Sequence, residues 1–265
     1  MITGIDHVVI GVRDLGVAIF AYETLFGCKA SVRDERDGVA TAMLVTRNVA
    51  VELMAPIGES EGAARLHAAI KDGGEGLKSL VFTTPDIVNA HRRYERVGLA
   101  PQEIVEREGW RSVRLDTART RGVRIFVLQR DAPLDAASDA AVAGLDHFVV
   151  RSGDMDGAAS LYGARLGLDM RLDREVAVRR LMFFRCGDGF MEVARDEAIT
   201  DGKDRLWGLS WRVADADAAR ARLTEAGVNV SEVRAGFKPG TRVFTVRDGT
   251  CGVPTLMIEP SRQRD

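Results

Sequence analysis

Two histidines are set apart by their surroundings. His7 lies in Ile5-Asp6-His7-Val8-Val9-Ile10 and His147 in Leu145-Asp146-His147-Phe148-Val149-Val150, and each is followed 45 residues later by a glutamate, Glu52 or Glu192. The runs around them are β-branched and apolar and read as strands. Side chains alternate faces along a strand, so Val8 and Ile10 can pack on a helix while His7 turns to the opposite side. By the same parity Val51 and Leu53 pack on the helix, and Glu52 shares the other face with Ala50 and Met54. An imidazole and a carboxylate at one site suit Zn, Fe, Mn, Co or Ni, with positions left for water or substrate oxygens. A plainer reading makes each histidine a half-buried group bonded to a backbone carbonyl, and each glutamate a carboxylate neutralised by an inward arginine such as Arg212.

The elements that position these residues are repeated. A shift of 140 residues without a gap pairs His7 with His147, Asp14 with Asp154, Tyr22 with Tyr162, Gly27 with Gly167 and Glu52 with Glu192. A second shift of 129 residues pairs 80–86 with 209–215 and Gly98 with Gly227. The difference places an 11-residue insertion in the first half, within 56–76. There Ser60 reads as the N-cap of an extra short helix over 60–71. Each half is double again. After the strand at 2–10, Asp14 caps a helix with Leu15, Ala18, Ile19, Tyr22 and Leu25 at helical spacing, and Gly27 ends it. Strands follow near 29–35, 39–46 and 49–55. This β-α-β-β-β pattern recurs from Leu77, with a helix at 86–97 and strands near 102–107, 110–116 and 123–129. It recurs again from Ala143 and from Leu206. The reading is therefore two domains, 1–130 (units 1–56 and 76–130) and 143–265 (units 143–195 and 205–260), joined by an Ala- and Asp-rich linker at 131–142.

Four such units resemble the vicinal oxygen chelate superfamily, the glyoxalase, bleomycin-resistance and extradiol-dioxygenase group. The residues that carry the resemblance are Gly4-Ile5-Asp6-His7-Val8-Val9-Ile10, Asp14-Leu15, Tyr22-Glu23-Thr24-Leu25-Phe26-Gly27 and Val51-Glu52-Leu53, with their copies Gly144–Val150, Asp154, Tyr162, Leu166-Gly167 and Met191-Glu192-Val193. The resemblance covers nearly the whole chain. It implies an α+β fold in which four βαβββ units pair into two U-shaped mixed-sheet half-barrels. It also implies metal ligands on the first and fourth strands of each unit, namely His7, Glu52, His147 and Glu192. The even-numbered units depart from the pattern. Ser79 and Gly208 stand where ligand histidines are expected, and Phe126 and Leu256 where glutamates are expected. If neighbouring units pair, each cavity holds one His and one Glu. If the first unit pairs with the third, or two chains associate as a homodimer, all four groups converge on one ion.

With a metal bound, the resemblance implies a lyase, isomerase or epimerase acting on a small molecule with oxygens on adjacent carbons. The ion would stabilise an enolate or enediolate, and Glu52 or Glu192 would serve as catalytic base. Iron held by two His and one Glu would give a dioxygenase instead. A metal-free protein that sequesters a drug or metabolite is the alternative of a different class. Arg212 and Arg124 on the cavity parity would suit a carboxylate or phosphate, and Met54 and Phe126 an acyl or aromatic body, so these four are the substrate-binding candidates. His67 and His91 fall on helices and read as surface or core-edge groups; Trp110, Trp207 and Trp211 read as core filling.

Composition narrows the classes. The chain has 265 residues, a formal net charge of −2, 46% hydrophobic and 29% charged residues. That balance fits a globular protein and argues against gripping nucleic acid or an anionic membrane. No segment approaches the ~18 uninterrupted apolar residues of a membrane span. No basic stretch followed by an apolar one opens the sequence, so no signal peptide is expected. Three scattered cysteines, Cys28, Cys186 and Cys251, fit a reducing cytoplasm better than a disulfide framework. P-loop, dinucleotide-binding, nucleophile-elbow and H-E-x-x-H motifs are absent.

Overall fold

The computed structural model describes residues 1–30, 32–137, 139–176 and 179–261. Residue 31 of the predicted strand 29–35 and residue 138 of the predicted linker lie outside the described residues. The first unit runs β1 (Gly4–Gly11), α1 (Leu15–Phe26), β2 (Val32–Arg36), β3 (Val39–Val45) and β4 (Ala50–Pro56). The inserted α2 (Glu61–Gly73) follows, then β5 (Gly76–Thr83), α3 (Ile87–Arg96), β6 (Val105–Arg107), β7 (Trp110–Arg114) and β8 (Ile125–Arg130). The third unit is β9 (Gly144–Ser152), α4 (Met155–Ala159) continuing into a π-helical turn (Ser160–Arg165), β10 (Asp169–Val176), β11 (Arg179–Cys186) and β12 (Gly189–Arg195). The fourth is β13 (Arg205–Arg212), α5 (Ala216–Glu225), β14 (Arg234–Ala235), β15 (Arg242–Val246) and β16 (Thr255–Glu259).

Aspartate starts each unit's helix. Asp14, Asp86, Asp154 and Asp215 sit in extended backbone and accept from the amide three residues on, which satisfies one of the first-turn N–H groups that have no partner within the helix. Ser60 does the same for α2 by accepting from the Ala63 amide. Gly27, at φ +70°, ends α1 in the left-handed conformation that a side chain would strain.

The strands form two eight-stranded mixed sheets, ordered β2-β3-β4-β1-β5-β8-β7-β6 and β10-β11-β12-β9-β13-β16-β15-β14. The α+β fold of four βαβββ units pairing into two sheets is thus the one adopted. The first unit shares its sheet with the second, and the third with the fourth, so a pairing of the first with the third is not formed. The junction is visible in the Thr3 amide, which donates to the Thr83 carbonyl at 2.9 Å.

Packing groups the residues into two compact bodies. One holds residues 1–8, 79–134 and 147–207; the other holds 9–78, 135–146 and 208–265. In the first body Phe82 and Phe148 lie 6.3 Å apart and Tyr162 meets Phe184 edge-on. In the second, Tyr22, Phe26 and Trp211 form an edge-on aromatic chain at 5.6 and 4.6 Å.

Strand parity sorts the side chains. Val8, Ile10, Leu44, Val51 and Leu53 of the first unit and Phe148, Val150, Met182, Phe184, Met191 and Val193 of the third are all fully buried. The opposite face of each sheet, called the inner face below, carries the polar groups. Among the described residues no helix is long and apolar enough to cross a membrane.

Candidate functional site

On the first sheet, His7 is buried at 8% exposure. Its Nδ1 meets Asp6 Oδ1 at 2.6 Å. Arg130 grips the same carboxylate with two parallel bonds, Nε to Oδ2 at 2.7 Å and Nη2 to Oδ1 at 2.8 Å. Burial pushes the Asp6 carboxyl up, but the His7 and Arg130 hydrogen bonds and charges outweigh it and hold the group at about 2. A carboxylate at Nδ1 orients the ring with a proton on that nitrogen.

Glu52 lies on β4 opposite Met43, with Ala50 and Met54 on the same face. Met54 packs against Val39 and the α2 residues Ala63, Leu66 and Ile70. The inserted helix therefore covers this end of the inner face, and Met54 serves as part of its apolar seat. Lys78 Nζ ties the end of α2 down by donating to the carbonyls of Ala69 and Gly74.

Two of the remaining candidates, Phe126 and Arg124, have the inner-face parity of β8. Val81 stands opposite Phe126, and Phe126 opposite Arg114. Ser79, 3% exposed, lies two residues before Val81, and Arg124 two before Phe126.

On the second sheet His147 and Glu192 come together. Their Nε2 and Oε2 atoms are 3.4 Å apart, with side chains 12% and 17% exposed. Phe190 is opposite His147 on the neighbouring strand, and Glu192 is opposite Val149. Phe183, opposite Glu192, presents its ring edge-on to the imidazole with centroids 5.9 Å apart. The pair thus has a wall of aromatic carbon on two sides. Arg212 has the inner-face parity, and its Nε donates to Asp146 Oδ1 at 3.0 Å. Each strand-opening aspartate is therefore held by an arginine, Asp6 by Arg130 and Asp146 by Arg212.

The donor set tests the metal that the resemblance implied. Ligands about 2.1 Å from a tetrahedral ion lie about 3.4 Å from one another, so the His147–Glu192 spacing fits two positions of a coordination sphere. A resident centre needs three or four protein ligands. Among the described residues no group of three or more His, Cys, Asp or Glu is placed to hold an ion. His7 and Glu52 enter one sheet and His147 and Glu192 the other, and the even units place Ser79, Phe126, Gly208 and Leu256 at the complementary positions. Among the described residues, the donor set of two does not fit a resident metal.

Sequence reasoning missed the partners of the histidines: Asp6, Arg130, Phe183 and Phe190. The Asp-His dipeptide that opens both halves was a visible signal for the first. Trp207, expected in the core, is 39% exposed and lies under the Arg151 guanidinium at 4.1 Å.

A family model described as the Glyoxalase/Bleomycin resistance protein/Dioxygenase superfamily matches residues 6–113 and 146–245. Among solved structures, a mutant of 4-hydroxymandelate synthase from Streptomyces coelicolor superposes with a TM-score of 0.75 at 15% identity, covering 99% of this chain and 95% of that one. A halotolerant catechol dioxygenase gives 0.66 at 12% identity, covering 100% and 89%. A fusion of a xylose isomerase-like TIM barrel with a 4-hydroxyphenylpyruvate dioxygenase gives 0.72 at 12% identity, covering 100% of this chain and 50% of that one. At these identities the likeness is one of fold. No curated protein matches by sequence.

Proposed function

Since the chain belongs to the glyoxalase/bleomycin resistance/dioxygenase superfamily, we propose that it is an isomerase, epimerase or lyase that moves a proton on a small molecule with oxygens on adjacent carbons, at the His147–Glu192 pair. The observation that carries this reading is the 3.4 Å approach of imidazole and carboxylate on an inner face beside Phe183. Glu192 takes the proton from the carbon next to a carbonyl. The C–H electron pair moves into the new C=C bond, and the carbonyl oxygen becomes an enolate. His147 Nε2–H donates to that oxygen, an interaction that strengthens as charge develops there. Return of the proton to the other face or the neighbouring carbon gives the epimer or isomer; loss of a β-substituent gives elimination. The aromatic rings limit water at the pair and so favour transfer over exchange with solvent.

A second reading is a metal-free protein that holds a small molecule without turnover. It is favoured by Ser79, Phe126, Gly208 and Leu256, which stand where the family pattern calls for ligands.

One experiment separates the two. A panel of 2-hydroxy ketones and 2-oxo acids is incubated with the protein in D2O, and C–H exchange is followed by proton NMR. The enzyme reading expects exchange that Glu192→Gln and His147→Gln each slow by about 10²-fold or more. It also expects no loss after dialysis against a chelator. Binding without exchange across the panel overturns it in favour of the holding protein. Exchange lost on dialysis and restored by one divalent metal makes the reaction metal-assisted.

A further inference from the structure

We propose that the cleft at the C-terminal end of α1 binds a small organic cation, a primary ammonium on an aromatic body, with the ammonium at Asp139 and the body against the ring of Phe20. The cleft has a volume of about 290 Å³. That is the small end of the range for ligand pockets, ~300–1,000 Å³, and it suits one ring with a short side chain. Its walls come from α1, from the turn that follows it and from the linker between the halves; no strand contributes.

Charge selects the ligand. Glu23 is engaged: Lys29 Nζ donates to its Oε2 at 2.6 Å and the Ala30 amide to its Oε1 at 3.0 Å. Arg222, another cation at this helix end, donates to the carbonyls of Thr24 and Leu25, both at 2.7 Å, and does not line the cleft. Asp139 is exposed and makes no hydrogen bond or ion pair among the described residues. With Glu23 and Lys29 cancelling, Asp139 leaves the walls with one net negative charge, which attracts a cation and repels an anion. The Phe20 ring, 73% exposed, adds a π face of the same sign. Cys28, 4% exposed, lines the cleft and has no hydrogen-bond partner among the described residues, so it offers a soft, weakly polar wall to the ligand's stem. Burial raises its thiol, and the charges of Asp139 and Glu23 add to the effect, which sets both carboxylates near the sulfur.

Asp139 is held in position from both sides. The Ala137 amide donates to the Val45 carbonyl at 3.1 Å, and the Ala141 amide to the Phe26 carbonyl at 2.8 Å. Gly27 lets the linker approach this closely, since a Cβ there would stand 3.0 Å from that of Ala141. Anchors two residues away on either side limit the travel of the carboxylate, so the ligand has little ordering to bring about.

The duplicate of the cleft lacks all of this. The 140-residue shift puts Ser160, Gly163, Leu168 and Asp169 where Phe20, Glu23, Cys28 and Lys29 stand, and the linker that carries Asp139 occurs once. The third unit forms its helix without these side chains, so the architecture does not require them.

The test uses the full-length protein at pH 7 with benzylammonium and its neutral counterpart, benzyl alcohol, followed by calorimetry and by shifts of the Phe20 ring signals. Saturable benzylammonium binding is expected. Benzyl alcohol on the parent protein, and benzylammonium on Asp139→Asn, should each bind about fivefold more weakly, and benzylammonium on Phe20→Ala about threefold. Both side chains are exposed, so neither variant threatens the fold. Asp135→Asn, at another exposed acid of the linker, binds as the parent does. Equal binding of amine and alcohol overturns the proposal, as does undiminished binding by Asp139→Asn or no saturable binding at all. Benzylammonium seated elsewhere on the protein would give the second of these results. No step here rests on proton transfer at the His147–Glu192 pair.

Discussion

Asp204 offers a sharp test of how the fold is held. Its carboxylate has no exposed surface. It accepts from Arg121 Nε on both oxygens at 3.1 Å and from the Tyr162 hydroxyl at 2.8 Å. Arg121 reaches on to Asp154 at 3.0 Å. Replacing Asp204 with Ala leaves a guanidinium and a hydroxyl stranded. Breaking a buried pair by removing one partner costs about 3–5 kcal/mol. The Arg121 side chain is 16% exposed, which lets its charge find some water and argues for about 3 kcal/mol. The orphaned hydroxyl adds about 1 kcal/mol. Urea unfolding followed by tryptophan fluorescence should therefore show Asp204→Ala destabilised by about 4 kcal/mol, and Tyr162→Phe by about 1–2 kcal/mol. The double variant should fall short of the sum by about 1 kcal/mol, since the hydroxyl that loses its acceptor is no longer there. A cost below about 1 kcal/mol for Asp204→Ala, or strict additivity, would refute the reasoning, because either result means that the triad is not the closed network its distances describe.

Other expectations follow from burial. All three tyrosines are buried: burial holds Tyr22 and Tyr162 well above the usual phenol value, with Cys251 and Asp204 respectively adding to the effect, and pushes Tyr94 up to about 12. A folded-state pKa above the unfolded one contributes stability that is complete below about pH 10 and lost as pH rises toward the folded value. Phenolate absorbance should thus appear together with loss of circular dichroism; ionisation of any tyrosine ahead of unfolding would contradict the packing. Burial likewise raises Cys28, Cys186 to about 12 and Cys251 to about 11, so near pH 8 a thiol reagent should label the native chain slowly and the urea-unfolded chain fast; fast native labelling would count against it. Asp14→Ala should cost about 1 kcal/mol as a lost helix cap. Asp154→Ala should cost more in the same urea assay, because that residue caps α4 and also binds Arg121.

The architecture was legible because duplication wrote it more than once. The Asp caps, the glycines after the first and third helices, and the alternation of Val8 and Ile10 with His7 recur at fixed shifts, so each local signal was checked against a copy. The insertion was also legible, as a mismatch of two shifts with a capping Ser60 inside it. What the linear text did not carry was which unit sits beside which. Strand alternation fixes the face of a side chain but not the neighbouring strand, and so the alternation around His7, Glu52, His147 and Glu192 could not say that the first two enter one sheet and the last two another. Contacts between distant segments were hidden for the same reason. Asp6 and Arg130 lie 124 residues apart, and nothing local to Arg130 announces its partner. Met54 was assigned to a ligand by its parity; the parity was right, but α2 occupies that place.

That helix also makes the duplicated chain unequal. It covers Val39 and Met54 on one sheet and, among the described residues, has no counterpart between β12 and β13. Excising it would restore a near-symmetrical molecule, yet would bare Val39 and Met54 at the rim of a sheet, where greasy patches invite self-association. The two halves are thus no longer interchangeable: one has built part of its packing on an inserted segment that the other does without.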